Sequence, residues 1–432
     1  MSLSRLFQSV LIGWALLMAS SQAALADWHE VTTDHFIVYG EGASRSVVRE
    51  AEQLERLDRL MRITFSLPDG TDGRRLPVYL VRNRAELAEI YPELDRRVGG
   101  FYRASPFGIS ASLIRGETSH TLFHEYAHHF MMQNFPGHYP GWFVEGFAEY
   151  FATADVQNAS RVTLGYFSAG RVRQLMEGRW ITMEQLLTKA PLEISTDERG
   201  SYYALSWLLT HYLISDPDRR RSLGAYLEGL RKGEDWQAAL QTHLGMTPED
   251  LRNALRAYIN GAIRYGRLSV ENTGSAPVIK TLSPGADDFI LPHATLQAAV
   301  PETRALALLA QLKPLEARYP NDPLALAVLG NLEQVWGDPS EAERLLNHLL
   351  TIEPANVDGL RSLAQLRIKQ ADELTDAAAE TRKLREAQSY LSRALEGDPT
   401  DFRIYRLLAM IRQRAPNYPT QNDLDTLVMA LT

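Results

Sequence analysis

His124-Glu125-Tyr126-Ala127-His128 is the segment from which the rest of this chain is best read. On a helix, residues i and i+4 lie on one face about 6 Å apart along the axis, so two imidazoles at that spacing grip one ion. Glu125 falls on the flank of the same face, within reach of a water beside the ion. This is the arrangement of a zinc hydrolase. Histidine is scarce, 11 residues in 432, and a chance H-E-x-x-H in such a chain has odds under about 2%. Leu122, Phe123, Tyr126, Ala127, Phe130 and Met131 supply a broad apolar surface. Glu117-Thr118-Ser119 offers cap residues, and Pro136-Gly137 stops the pattern. The motif therefore reads as part of a buried, capped helix.

A catalytic zinc site takes three protein ligands and keeps one position open. The next helical pattern runs through Trp142-Phe143-Val144-Glu145-Gly146-Phe147-Ala148-Glu149-Tyr150-Phe151, after a loop marked by Pro136-Gly137 and Pro140-Gly141. Its two acids are again four apart among aromatics, where a carboxylate is unfavourable unless paired or metal-bound. Glu145 is the candidate third ligand. Glu149 suits either of two roles: acceptor for a ligand histidine N–H, or partner of a surface cation. His120 lies one turn before His124, and His129 points about 100° away from His128, so neither is the expected ligand.

Together, His124-Glu125-x-x-His128 and Trp142-x-x-Glu145-Gly146-x-Ala148-Glu149 resemble the gluzincin metallopeptidases, in particular the bacterial peptidase MA-like domains. The resemblance implies Zn²⁺, one per chain, on His124, His128 and Glu145. It implies Glu125 as general base and Glu149 as support for the first motif histidine. Tyr202-Tyr203-Ala204-Leu205-Ser206-Trp207 is similar to a further family helix, which implies that Tyr203 stabilises the oxyanion; the other reading of Tyr203 is an aromatic of a core helix. There are departures. Sixteen residues separate His128 from Glu145, Val144 stands where an asparagine often precedes the third ligand, and Gly99-Gly100-Phe101-Tyr102 occupies the place of an exopeptidase signature. Aminopeptidase activity is accordingly not expected. The resemblance covers roughly residues 28–262.

Residues 1–26 read as a secretory signal peptide: Arg5, an apolar run over 6–19, and Ala24-Leu25-Ala26 before Asp27. An uncleaved anchor is the alternative. No other stretch is apolar enough to span a bilayer, and cysteine is absent, so no disulfide framework exists. A periplasmic or secreted location follows as the expectation. The net charge of −8 is spread without long runs, and no basic patch with interleaved aromatics points to nucleic acid.

The expected architecture is an α+β zincin-like catalytic domain over 27–265, a mixed sheet with the H-E-x-x-H helix and a helical lobe. A linker over 266–300 and an all-α tetratricopeptide-repeat array over 301–432 follow. Strands are predicted at 35–39, 76–81 and 107–113, the last as an edge that pairs with an extended substrate, and a helix over 44–61. Pro277, Pro284-Gly285 and Pro292 mark the linker. Pro320 and Pro354 are 34 residues apart, and Leu326, Leu329, Gly330, Ala342, Leu346 and Leu349 fall at tetratricopeptide positions. A second copy carries extra residues over 372–385, and Tyr405, Leu408 and Ala409 begin a third. The expected function is a zinc metallopeptidase acting on a peptide or protein substrate. The repeats either recruit a protein partner or substrate, or pack on the catalytic domain. A non-catalytic scaffold is the alternative.

Overall fold

Alternation along one strand explains the layering. In Leu76–Val81 the residues Leu76, Val78 and Leu80 join one apolar core, while Tyr79 and Val81 join another on the opposite face. Side chains on a strand point alternately to its two faces, so a strand buried on both sides sits inside a three-layer structure. The computed structural model describes residues 28–431 except 71–72, 95–97, 117–118 and 272–273. The expected signal peptide, residues 1–26, lies outside the described residues.

The first elements are β1 (Trp28–Thr32), β2 (Phe36–Glu41), α1 (Ser44–Phe65), β3 (Leu76–Val81), α2 (Arg84–Ile90), β4 (Gly100–Ser105) and β5 (Gly108–Ile114). They are followed by α3 (Ser119–Asn134), which carries the motif, and α4 (Gly141–Ala152). Of the cap candidates before α3, Glu117 and Thr118 lie outside the described residues. One six-stranded mixed sheet has the order β4-β5-β3-β2-β1-β8, where β8 is Val278–Thr281. β2, β3 and β5 are mutually parallel, and β4, β1 and β8 run antiparallel to their neighbours. The strand expected as the edge, 107–113, is interior: β5 pairs with β3 on one side and β4 on the other. The open edge next to α3 is β4. Its half-exposed Phe-Tyr-Arg-Ala-Ser run has no clean apolar alternation, and the hairpin closing Ser105 onto Gly108 shields β5 instead.

A helical lobe completes the first half: β6 (Val162–Leu164), α5 (Ala169–Glu177), α6 (Met183–Thr188), α7 (Arg199–Ile214), α8 (Pro217–Arg231), α9 (Trp236–Ala239) and α10 (Pro248–Ile259). Thr247 caps α10 through a reciprocal pairing with Asp250. The stretch 266–300 is more than a linker. β7 (Gly266–Leu268) pairs with β6, and β8 adds to the far edge of the sheet against β1. α11 (Ala286–Leu296) then buries Ala286, Ile290 and Ala294 against the sheet and α2, and Phe289 in the core of the helices that follow. Its internal Pro292 and lack of strand period hid these elements, which tertiary contacts stabilise.

After α12 (Glu302–Leu312) come three helix hairpins: α13 (Pro323–Trp336) with α14 (Pro339–Ile352), α15 (Val357–Asp372) with α16 (Ala377–Gly397), and α17 (Phe402–Arg412) with α18 (Gln421–Leu431). Asp322, Asp338, Asn356, Asp376 and Asp401 cap the first five, each side chain accepting from a backbone N–H of the first turn. Leu326, Leu329, Ala342, Leu346, Leu349, Leu360, Leu363, Ala364, Ala387, Leu391 and Ala394 are all buried. Among the described residues no helix is long and apolar enough to cross a membrane.

Candidate metal centre

α3 is held from behind before it presents anything in front. Tyr126 donates its hydroxyl to Asp58 of α1 at 2.6 Å, and Asp58 also accepts from Arg62 at 2.6 Å. Phe123, Phe130 and Tyr126 fill the core beneath. α4 lies against α3 on one side and α7 on the other. Gly146 permits the second contact, because a side chain there would collide with the Ser206 carbonyl and the Thr210 hydroxyl. Close approach of α4 and α7 brings the acids of α4 to the histidines of α3.

His124 Nε2 and His128 Nε2 lie 3.1 Å apart. Glu145 Oε2 stands 3.4 Å from the first and 3.7 Å from the second. Glu145 Oε2 is buried and has no hydrogen-bond partner. A buried carboxylate oxygen without a donor is strongly unfavourable unless a cation meets it. Two imidazoles and one carboxylate, converging from two rigid helices around an orphaned oxygen, fit a zinc ion with an open position. His35, Glu55 and Asp58 also come close to one another, but their atoms are already used. His35 Nδ1 meets Glu55 at 2.7 Å, its Nε2 bonds the Gly70 carbonyl, and Asp58 serves Tyr126 and Arg62. That group is a satisfied network and the first is not.

Charge in the site follows from burial and neighbours. Burial opposes a proton on His124, but Glu145, Glu149 and Glu125 outweigh it and raise the imidazole to about 9. Burial, reinforced by His124, depresses His128 to about 4. Burial also pushes the Glu125 carboxyl up to about 7, against the pull of His124 and of a backbone donor. That donor is the Tyr102 amide of the edge strand β4, 2.7 Å from Glu125 Oε2. Glu125 thus stands between the ligand histidines and the open edge of the sheet.

Glu149 lies near both kinds of group that the sequence left open. Its Oε1 is 3.5 Å from His124 Nδ1, and it also receives a bidentate ion pair from Arg171 of α5, at 2.8 and 2.5 Å. Burial raises the Glu149 carboxyl, yet Arg171 holds it below the usual range. The guanidinium also stacks over the Tyr203 ring, 5.3 Å from its centroid. Tyr203, on α7, is half-buried; burial raises its phenol, and the charges of Glu145, Glu149 and Glu125 add to this. Its neighbour Tyr202 is fully buried and donates to the Lys189 carbonyl at 2.8 Å. His129 points away, buried against the Tyr102 hydroxyl at 3.2 Å. His120 lies 3.9 Å from Glu149 and outside the ligand triad.

Arg171 and Tyr102 have no counterpart in the sequence reading. A buried acid on an apolar helix called for a cation, but nothing in the spacing singled out an arginine 22 residues later. Residues 114–232 match a family described as a protein of unknown function, DUF1570. The match includes both motif helices, Arg171 and Tyr203. No curated protein and no solved structure matches the chain.

Proposed function

We propose that this chain is a zinc-dependent peptidase of the gluzincin type, with a zincin-like catalytic half, tetratricopeptide-like repeats after it, and a periplasmic or secreted place of work. The reading is carried by one observation: Glu145 Oε2, buried without a hydrogen-bond partner, converges with His124 Nε2 and His128 Nε2 at 3.4 and 3.7 Å. Zinc held by His124, His128 and Glu145 would supply acidity to a water and polarise a scissile carbonyl. Glu125 takes the proton from the attacking water and returns it to the leaving amine, a role its place beside the motif histidines allows. Tyr203 keeps its proton and donates to the carbonyl oxygen as charge grows there. Glu149, locked by Arg171, orients His124 through Nδ1. An extended substrate pairs with the edge strand β4, whose Tyr102 amide already addresses Glu125.

The direct test is the zinc content of the purified protein and of Glu145→Ala, measured by mass spectrometry. One zinc per chain, lost in the variant, supports the ligand set. No zinc under non-chelating conditions sinks the hydrolase reading.

A further inference from the structure

The first helices of the three hairpins, α13, α15 and α17, share an inner groove, and the β4–β5 turn borders it with Phe107 still exposed. Phe107, at the tip of the β4–β5 turn, sits with Val328, Trp336, Ser362 and Arg406 around a residual cavity of about 50 Å³. Arg403 donates through Nη1 to the Phe107 carbonyl at 3.4 Å and to Gln297 Oε1 at 3.1 Å. Ser105 Oγ lies 3.4 Å from the Gln297 carbonyl. Gly108 is pressed so closely onto Gln297 that an added Cβ would lie 2.6 Å from Oε1 and 2.8 Å from the carbonyl oxygen. Two of the groove's arginines are paired with acids, while Arg406 Nε is buried without a hydrogen-bond partner. Arg403 binds Asp401 at 2.8 Å and lies 3.7 Å from Asp358, and Arg361 pairs with both acids.

We infer that Arg403 and Gln297 clamp the β4–β5 turn of the same chain, and that Arg403 is a positioning residue for Glu125. The connection is short. Arg403 and Gln297 hold residues 105–108, that turn fixes the end of β4, and three residues before it the Tyr102 amide holds the Glu125 carboxylate. An edge strand has a neighbour on one side only, so a clamp at its tip limits how it slides and twists. Through this contact the repeat helices act on the catalytic cleft from within the chain. The catalytic consequence rests on Glu125 being the base of the proposed peptidase; the clamp does not.

Amide hydrogen exchange on the full-length protein, resolved by residue, tests this without any substrate. Glu125→Ala calibrates the probe by stripping protection from the Tyr102 amide. Arg403→Lys keeps a positive charge for Asp401 and Asp358 but loses the fork that reaches Phe107 and Gln297. Gly108→Ala wedges the turn off Gln297 with every charge intact, and serves if the first variant folds poorly. Both are expected to speed exchange at Tyr102 and over 105–108 at least tenfold, with Val38 of β2 and Val78 of β3 unchanged. In peptide hydrolysis the same variants lower kcat roughly tenfold to a hundredfold and leave KM nearly unchanged. Tyr102 protected as in the parent protein would overturn the inference, as would equal acceleration in β2 and β3, or an unchanged kcat. If the parent shows no hydrolysis at all, the peptidase reading fails while the exchange result still decides the clamp.

Discussion

Arg171 grips Glu149 with both arms of its guanidinium fork, at 2.8 and 2.5 Å, while Glu149 faces His124 Nδ1 at 3.5 Å. The glutamate is almost wholly buried. Its charge persists there because the arginine neutralises it, and that charge faces the imidazole of a proposed metal ligand. Arg171→Ala strips the guanidinium from a buried Glu149, leaving only His124 and His120 near it, a loss that costs about 3–5 kcal/mol. Zinc affinity is expected to fall about 10- to 100-fold. Thermal unfolding and chelator competition measure the two effects; an unaltered affinity would detach Arg171 from the centre.

Glu125→Gln separates binding from turnover. The amide keeps the side chain's shape and still accepts from the Tyr102 amide, but it cannot take a proton. Peptide hydrolysis is expected to drop about 10²- to 10⁴-fold with zinc content unchanged. Retained hydrolysis would assign the base elsewhere.

Tyr203→Phe removes a hydroxyl and leaves the ring under Arg171. If the phenol donates to the growing oxyanion, kcat falls about 10²- to 10³-fold while KM stays close to its parent value. A change confined to thermal stability would make Tyr203 a packing residue.

Gly146→Ala tests how α4 reaches the site. The new methyl meets the Ser206 carbonyl and the Thr210 hydroxyl, so α4 and α7 must separate. Overpacking of this kind costs about 1–3 kcal/mol. Because the shift also moves Glu145, weaker zinc binding is expected alongside the lower melting temperature. Calorimetry and zinc titration of the variant check both.

Asp401 sets an acid limit at the groove. It is buried, and although burial raises its carboxyl, Arg403 and Arg361 hold it below the ordinary 3.8. Between 3.8 and that lower folded value the unfolded chain binds a proton that the folded chain does not. Stability from Asp401 is therefore complete above about pH 4 and declines as pH falls through the window. Asp401→Asn should be less stable at neutral pH, by about 3 kcal/mol, and should show a shallower acid limb in urea unfolding. Parallel limbs for variant and parent would contradict the assignment.

Helices and their faces were legible because helical period is a local property. The four-residue spacing of His124 and His128, and of Glu145 and Glu149, puts each pair on one face whatever surrounds it. The hairpin array is legible in its leucines and its 34-residue proline spacing for the same reason. The sheet was only partly legible. β3 and β5 have apolar runs that reveal them, whereas β4 and β8 are half-exposed or exposed strands stabilised by pairing, which no local pattern encodes. The sheet edge therefore lies one strand further out than the apolar pattern points, at β4, and the stretch that reads as linker holds α11 and β8.

From its own order of residues the chain determined which side chains face the candidate metal centre from α3 and α4, since a helix carries its geometry with it. Tertiary structure alone decided the rest. It brought Arg171 to Glu149 across 22 residues, Tyr102 to Glu125 across 23, and Arg403 to Phe107 across 296. Contacts over such distances depend on how layers pack against one another, and spacing along the sequence carries no record of that.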